Sequence, residues 1–540
     1  SKELIFMFYE LNKCEKNPLR VDIRFASVYP NVYKTAMSSL GYQIIYGLVN
    51  EREDSYCERV VYPSVRSLET NSPLRDFDII SFTIQYEQDY FNVLEILSKA
   101  EIPLRRNDRT DKDPLIIAGG PCATANPLPL SDFIDVFVIG EAEVVLYDFL
   151  DCYLNLKNDG RFNRDDLSPF LDIESLYISE FKNKAKIAIL DDMNNAYQLT
   201  RPIITQTDDD DLMPVFSNSI FLNVSRACTR GCRFCMSSYL YRPQREVEAD
   251  LLVDTALKIS ESTGLKKINL IGAAVSDYSH IDYLLETLRE KGFVVSTPSM
   301  RIESITRDIL VSLRKSGLKT LTIAPESIES IRKKINKDIP DEKIFEVVKD
   351  AVELGFNIKL YFIIGLSSSS DEDIVELKDF IKIIDSMKYD IDSNSKSSSR
   401  KAKVSIKFSV NPLIPKPHTP MQWNSYDMKD IKSKIKYLKK NLKGVDIKFD
   451  SAKMGLIQYV LSCGDRDIGE LLEKSLTRKI SMKEWKENAP NYSLGDELPW
   501  DPIDVSVSKE FLISEHDKMG TEEQTPWCEE FGCYDCGACH

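Results

Sequence analysis

The order of apolar and polar positions divides the chain into two alternating arrays. From residue 21 to 150, the apolar runs VDIRFASVY, CERVVYP, DIISFTI, PLIIAGG and DVFVIG take turns with amphipathic stretches such as MSSLGYQIIYGLVN, YFNVLEILSKA and EAEVVLYDFL. Strands and helices at this spacing predict βαβ units in a doubly wound, Rossmann-like parallel sheet, an α/β domain over 1–150. A second array runs through SIFLNVS, KKINLIG, FVVSTPS, KTLTIAP, IKLYFIIG and KVSIKFSV, with helical patterns such as DYLLETLREKG and EKIFEVVKDAVELG between. Six strands separated by helices predict a partial (β/α)6 barrel over 219–424. Residues 151–218, with YISEF, KIAILDD and the acidic stretch Asp208 to Asp211, read as a connector. The polar, low-complexity stretch 389–403 predicts a mobile surface loop before the sixth strand. Residues 425–540 form a helical, cysteine-rich extension whose Lys-rich stretch DMKDIKSKIKYLKKNLKG reads as a solvated face.

Composition narrows the class. A chain of 540 residues with 43% apolar content supports two to four domains. The 70 Lys and Arg against 85 Asp and Glu leave a net charge of −15, which disfavours broad attraction to nucleic acid or anionic lipid. No window approaches the roughly 18 uninterrupted apolar residues of a membrane span, and the first residues lack signal-peptide order. A cytoplasmic protein is expected.

Seven of the 12 cysteines change the picture, because they fall into two tight groups. Scattered Cys14, Cys57, Cys122, Cys152 and Cys463 read as small buried hydrophobes. Cys228, Cys232 and Cys235 form C-x3-C-x2-C directly after the first barrel strand, where a barrel carries its chemistry. Thiolates suit iron–sulfur clusters or zinc. A closed cluster or a structural zinc needs a fourth protein ligand, and the closest downstream candidate is His280. A [4Fe–4S] cluster with one open iron is the economical reading, with a zinc knuckle as the alternative. Cys528, Cys533, Cys536 and Cys539, with His540 adjacent, form a second metal site, for which an iron–sulfur cluster, a zinc ion or a single iron all remain open.

The segments YPNVYKTAMSSLGYQIIY, PLIIAGGPCATANPLPLSDFIDVFVIGEAE, CTRGCRFC, NPLIPKPHTPMQW and WDPIDVSVSKEFL together resemble the uncharacterised radical S-adenosylmethionine (SAM) family with an N-terminal cobalamin-binding domain. The resemblance spans nearly the whole chain. It implies that the open iron chelates SAM and that cluster reduction yields a 5′-deoxyadenosyl radical. It places SAM contacts at barrel strand ends: Phe234; Gly272, Ala273, Ala274 and Ser276; Ser299 and Arg301; Glu326 and Arg332; Gly365 and Leu366. The departure from a double glycine at Gly272 leaves that contact open.

For cobalamin it implies the loops beyond the first sheet. These contribute Tyr29, Asn31, Tyr33, Thr83, Gln85, Tyr86, Glu87, Gly119, Gly120, Pro121, Cys122 and the turn carrying Gly140, Glu141 and Glu143. Open α/β sheets bind ligands in that position. Residues 1–150 contain no histidine, so a D-x-H-x-x-G ligand to cobalt is ruled out. The expected activity is methylation of an unactivated carbon by a cobalamin-dependent methyltransferase. The alternative is a cobalamin-free enzyme that inserts sulfur or forms C–C bonds using the tail metal. A third reading is an electron-transfer or RNA-associated scaffold. A low-potential donor such as ferredoxin or flavodoxin is expected. The substrate class stays open among small molecules, lipids, peptides and RNA.

Overall fold

The computed structural model describes residues 9–216, 218–297, 300–389 and 404–539, so the loop expected at 389–403 lies almost wholly outside the described residues. The first apolar runs become strands β1 (Ile23–Tyr29), β2 (Ser55–Val61), β3 (Ile79–Thr83), β4 (Leu115–Gly119) and β5 (Val136–Val138). They pair in parallel in the order 2-1-3-4-5, a doubly wound arrangement. A short β6 (Leu176–Tyr177) closes the far edge antiparallel to β5. The connector therefore supplies an edge strand of the first sheet. The helix Ala142–Asn158 also runs past residue 150, so the sheet's unit does not end at the expected boundary.

Continuous apolar runs are needed because both faces of this sheet are covered. On β1, Phe25 and Tyr29 pack with Tyr42 and Phe149 in one core, while Ala26 and Val28 join the core that also contains Leu222, Val224 and Leu270 of the second array. Alternation along one strand thus ties the first sheet to the barrel.

The six strands of the second array appear where the pattern places them: β7 (Ile220–Asn223), β8 (Lys267–Ile271), β9 (Val294–Ser296), β10 (Thr320–Glu326), β11 (Asn357–Ile364) and β12 (Ile406–Pro412). All are parallel, as β7-β8-β9 and β10-β11-β12, and a parallel bridge between Met300 and Ile323 joins the two sets. The sheet gains a seventh parallel strand, β13 (Ile447–Phe449), beyond the six expected. Its three residues sit between charged neighbours, too short a run to register as a strand.

The extension returns to the connector, since Ile503–Asp504 pairs in parallel with Ala185–Lys186. Among the described residues no helix is long and apolar enough to cross a membrane.

Candidate active site

The cysteine loop leaves the C-terminal end of β7. Ser225–Arg226 pairs antiparallel with Arg245–Glu246 and closes its base. Ala227 then adopts φ 64°, a left-handed conformation that costs an alanine roughly 1–2 kcal/mol. Side chains from distant parts of the chain hold the loop in this shape. Asn336 donates from Nδ2 to the carbonyls of Arg230 (3.1 Å), Gly231 (3.2 Å) and Thr525 (3.1 Å). The fully buried Arg233 pairs with Glu515 at 3.1 Å and donates to the carbonyls of Lys334 (3.0 Å) and Glu523 (2.6 Å). Tyr239 donates to the Gly231 carbonyl at 3.0 Å.

Cys228 and Cys232 are buried and Cys235 is partly so. Burial pushes the Cys228 thiol up to about 12, and the Arg301 charge opposes it. A thiolate at such a site needs a cation on the sulfur, which an iron supplies. Among the described residues no three His, Cys, Asp or Glu side chains converge on a single ion.

Around the three cysteines the strand ends bring together buried charges. Arg301 donates from Nη1 towards Cys232 Sγ at 3.7 Å, pairs with Glu303, and its Nε lies 3.7 Å from Asp277. Its backbone N–H donates to Ser276 Oγ at 2.9 Å. Glu326 ends β10 at φ 69°, next to a register shift, with Lys337 Nζ 2.9 Å from its Oε1. Burial works against the charge on Lys337, but Glu326 and Cys232 outweigh it and raise its pKa. The buried Nε of Arg301 and Oε2 of Glu303 have no hydrogen-bond partner.

Other expected SAM contacts lie elsewhere. Arg332 is fully buried and its donors are taken by the Ile339 carbonyl (2.8 Å), the Ser327 carbonyl and Asp341, which makes it an internal strut. Gly365 and Leu366 line a small apolar pocket with Ile331, Leu377 and Leu413. A Cβ at Gly365 would lie 2.7 Å from Ile431, so helix packing accounts for that glycine. Gly272 likewise admits no Cβ beside Ser225 Oγ at 2.9 Å. Ala273 and Ala274 lead into the short turn Val275–Asp277, and Phe234 packs half-buried against the core. Ser299 lies outside the described residues.

At the first sheet, the switch point between β1 and β3 forms the crevice that the topology predicts. Tyr29 donates to Gln85 at 3.2 Å and Asn31 to Asp89 at 2.8 Å across it. Asp89 is pushed up to about 6, chiefly by burial. Thr83 and Ser27 hold buried hydroxyls with no partner. Gly120, φ 99°, would place a Cβ 2.6 Å from the Ile84 carbonyl, so the Gly119–Cys122 turn requires glycine there.

Four expected cobalamin contacts are committed to the protein instead. Tyr33 donates to Glu10 at 2.6 Å and meets Thr205 at 2.8 Å. Glu87 pairs with Lys416 and accepts from Gln458 at 2.9 Å. Glu141 pairs with Arg245 (3.0 Å) and Arg226 (3.2 Å), and Glu143 with Arg226 at 2.6 Å. Tyr86 is exposed, within 3.5 Å of Gln458. The sequence reading missed Arg226, two residues before Cys228, and with it Arg245, Lys416 and Asn336. Arg226 joins the Gly140–Glu143 turn of the first sheet to the cysteine loop.

Family comparison agrees with this geometry. Residues 222–381 match the model described as the radical SAM superfamily, and residues 41–179 that of radical SAM proteins, N-terminal. An uncharacterised protein of Methanocaldococcus jannaschii is 31% identical over 83% of this chain and 90% of its own length. The chain belongs to the radical SAM superfamily. Membership brings a [4Fe–4S] cluster and SAM, for which the three cysteines, the partly buried Arg301 and the buried Lys337 are fitting partners. Cytidylyl-2-hydroxyethylphosphonate methyltransferase of Streptomyces wedmorensis is 26% identical over 27% of this chain and 28% of its own. The radical SAM methyltransferase TsrM of Kitasatospora setae, solved with cobalamin and a [4Fe–4S] cluster bound, shares the fold with a TM-score of 0.52 at 12% identity, covering 75% of this chain and 78% of its own.

Proposed function

We propose that this radical SAM protein is a cobalamin-dependent methyltransferase acting on an unactivated carbon. The observation that carries the reading is the seam between the two sheet edges. The Gly140–Glu143 turn beyond the first sheet is bonded through Arg226 to the base of the cysteine loop, so the crevice and the cluster loop belong to one construction. The likeness to TsrM in fold and the methyltransferase among the relatives support it.

When bound, the cluster and SAM supply a hydrogen-abstracting 5′-deoxyadenosyl radical, and cobalamin supplies the methyl group. The chain's own residues hold and orient. Arg301 and Lys337 fit the SAM carboxylate, and Asp277 and Glu326 fit its amino and hydroxyl donors. Thr83 and Ser27 offer unmatched hydroxyls beside the crevice, and the Gly119–Cys122 turn lets a flat ligand approach the backbone. Cys228, Cys232 and Cys235 hold three irons and leave the fourth to SAM. The reaction takes one electron per radical, so a low-potential ferredoxin or flavodoxin is the fitting donor.

Anaerobic reconstitution with iron, sulfide, cobalamin and SAM tests the proposal. The expected result is stoichiometric cobalamin binding and, with reductant and substrate, both S-adenosylhomocysteine and 5′-deoxyadenosine. Protein that forms 5′-deoxyadenosine yet binds no cobalamin overturns it and leaves a cobalamin-free radical enzyme.

A further inference from the structure

The carboxy-terminal tail crosses the cysteine loop with little support of its own. Between residues 522 and 539 only Thr525 and Cys536 are buried. The helix Cys528–Phe531 has one turn, and Phe531 is 67% exposed. A segment that buries so little cannot offset the entropy of ordering its backbone, roughly 1–2 kcal/mol per residue. Small segments of this kind are held by a staple.

The tail nevertheless has a defined form around its thiols. Asp535 takes φ 56° and Gly537 φ 94°, where a Cβ at Gly537 would lie 2.7 Å from the Ser506 carbonyl. This folds Cys533-x2-Cys536 into a tight loop. The Asp535 backbone N–H donates to Cys533 Sγ at 3.3 Å, and Ser508 N–H fixes the Cys536 carbonyl at 2.9 Å. The guanidinium of buried Arg242 lies beside Cys536 and keeps one N–H group without a hydrogen-bond partner. Four thiols fall within twelve residues of this segment, and among the described residues no three metal-binding side chains meet at one point.

We propose that Cys528, Cys533, Cys536 and Cys539 bind a thiophilic metal, as a zinc ion or an iron–sulfur centre, and that this metal pins the tail across the radical SAM cluster loop. His540 lies outside the described residues and is not needed. Several of the tail anchors fall on or beside that loop. Trp527 donates from Nε1 to Thr229 Oγ1 at 2.8 Å, and Arg230 lies 3.8 Å over its ring. Glu529 accepts from Thr229, and Tyr534 donates to the Thr229 carbonyl at 3.3 Å while accepting from Arg242 at 2.8 Å. Thr229 follows Cys228, so filling the tail site fixes the residue beside a cluster ligand. The proposal does not depend on the methyl-transfer reading, because neither cobalamin nor product enters its test.

The test uses the full chain with C228A/C232A/C235A, which leaves only the tail to hold metal. After anaerobic purification, zinc and iron are measured together with the absorption spectrum. The expected result is about one zinc per chain, or iron with sulfur-to-iron charge-transfer bands. Adding C533S/C536S should remove that metal and speed protease cleavage between residues 522 and 539 by about tenfold or more. Cys533 is exposed, so circular dichroism should show the rest of the chain intact. A folded triple variant with neither metal, or equal metal with C533S/C536S added, overturns the proposal. To cover misfolding of the triple variant, the unmutated chain is compared with C533S/C536S alone. Unchanged zinc and iron per chain there overturn it as well.

Discussion

The two cysteine groups use the same side chain in opposite surroundings. Cys228 and Cys232 are buried in a loop whose carbonyls accept from Asn336 and Tyr239 and whose own Arg233 is bonded to Glu515 and the Lys334 carbonyl. Cys533 and Cys539 are exposed on a segment with one turn of helix. Packed partners surround the first group and hold a left-handed Ala227 in place. The second group has four thiols within twelve residues and little packing around them. A preformed site spends its metal affinity on chemistry, whereas an open one spends it on ordering the chain.

Removing ligands from the first group gives the largest expected effect. Cys232→Ala should abolish 5′-deoxyadenosine formation in protein whose circular dichroism is unchanged, and persistent SAM cleavage would break the assignment. Next is the frame. Arg233→Met takes one of two cations from the buried Glu515, which keeps Lys518 at 2.9 Å, and frees the Lys334 and Glu523 carbonyls, so urea unfolding should show a loss of about 3 kcal/mol. A loss under about 1 kcal/mol would mean that this pair does not hold the loop.

Acid should weaken the same frame through His418, which meets the Ala125 carbonyl at 3.1 Å across the seam and is pushed down to about 4 by burial. The folded state keeps this ring neutral while the unfolded chain protonates it near 6.5. Its contribution is therefore full above pH 6.5 and is lost as pH falls towards 4, about 3 kcal/mol in all. His418→Gln should flatten stability between those pH values, and an unchanged slope would refute the assignment. Arg226→Gln should cost about 2 kcal/mol, because Arg245 still pairs with Glu141 while Glu143 loses its cation. A double-mutant cycle with Glu143→Gln measures that coupling. Smallest is C533S/C536S, which should shift global stability by less than about 0.5 kcal/mol while loosening the tail. A global loss as large as that of Arg233→Met would erase the contrast between the two groups.

Much of the frame was legible in the sequence because it depends on period. All five parallel strands of the first sheet arise from apolar runs buried on both faces, and the six expected barrel strands from runs with one buried face, as in the alternating Asn357–Ile364. The cysteine loop was legible because its ligands sit within eight residues. The clamps were not. Arg233 and Glu515 are 282 residues apart, Lys416 and Glu87 329, and Arg226 and Glu143 83. A charged residue on a polar stretch looks the same in sequence whether it faces water or a distant carboxylate. The segment NPLIPKPHTPMQW marked the family but gave no sign that its Lys416 and His418 would dock on the first sheet. Glu87, Glu141 and Glu143 were read as ligand contacts for the same reason: their position beyond the strand ends was visible, and their arginine and lysine partners were not.

The sequence alone determined the two parallel arrays and the presence of two close-set thiol groups, since periodicity and short spacing are local properties of the chain. Only the tertiary structure decided that the edges of the two arrays share one seam, that Arg332 and Tyr33 serve as struts, and that the tail lies across the cluster loop. Those outcomes depend on ion pairs and hydrogen bonds between groups far apart in the chain, whose energies arise only once packing has removed them from water.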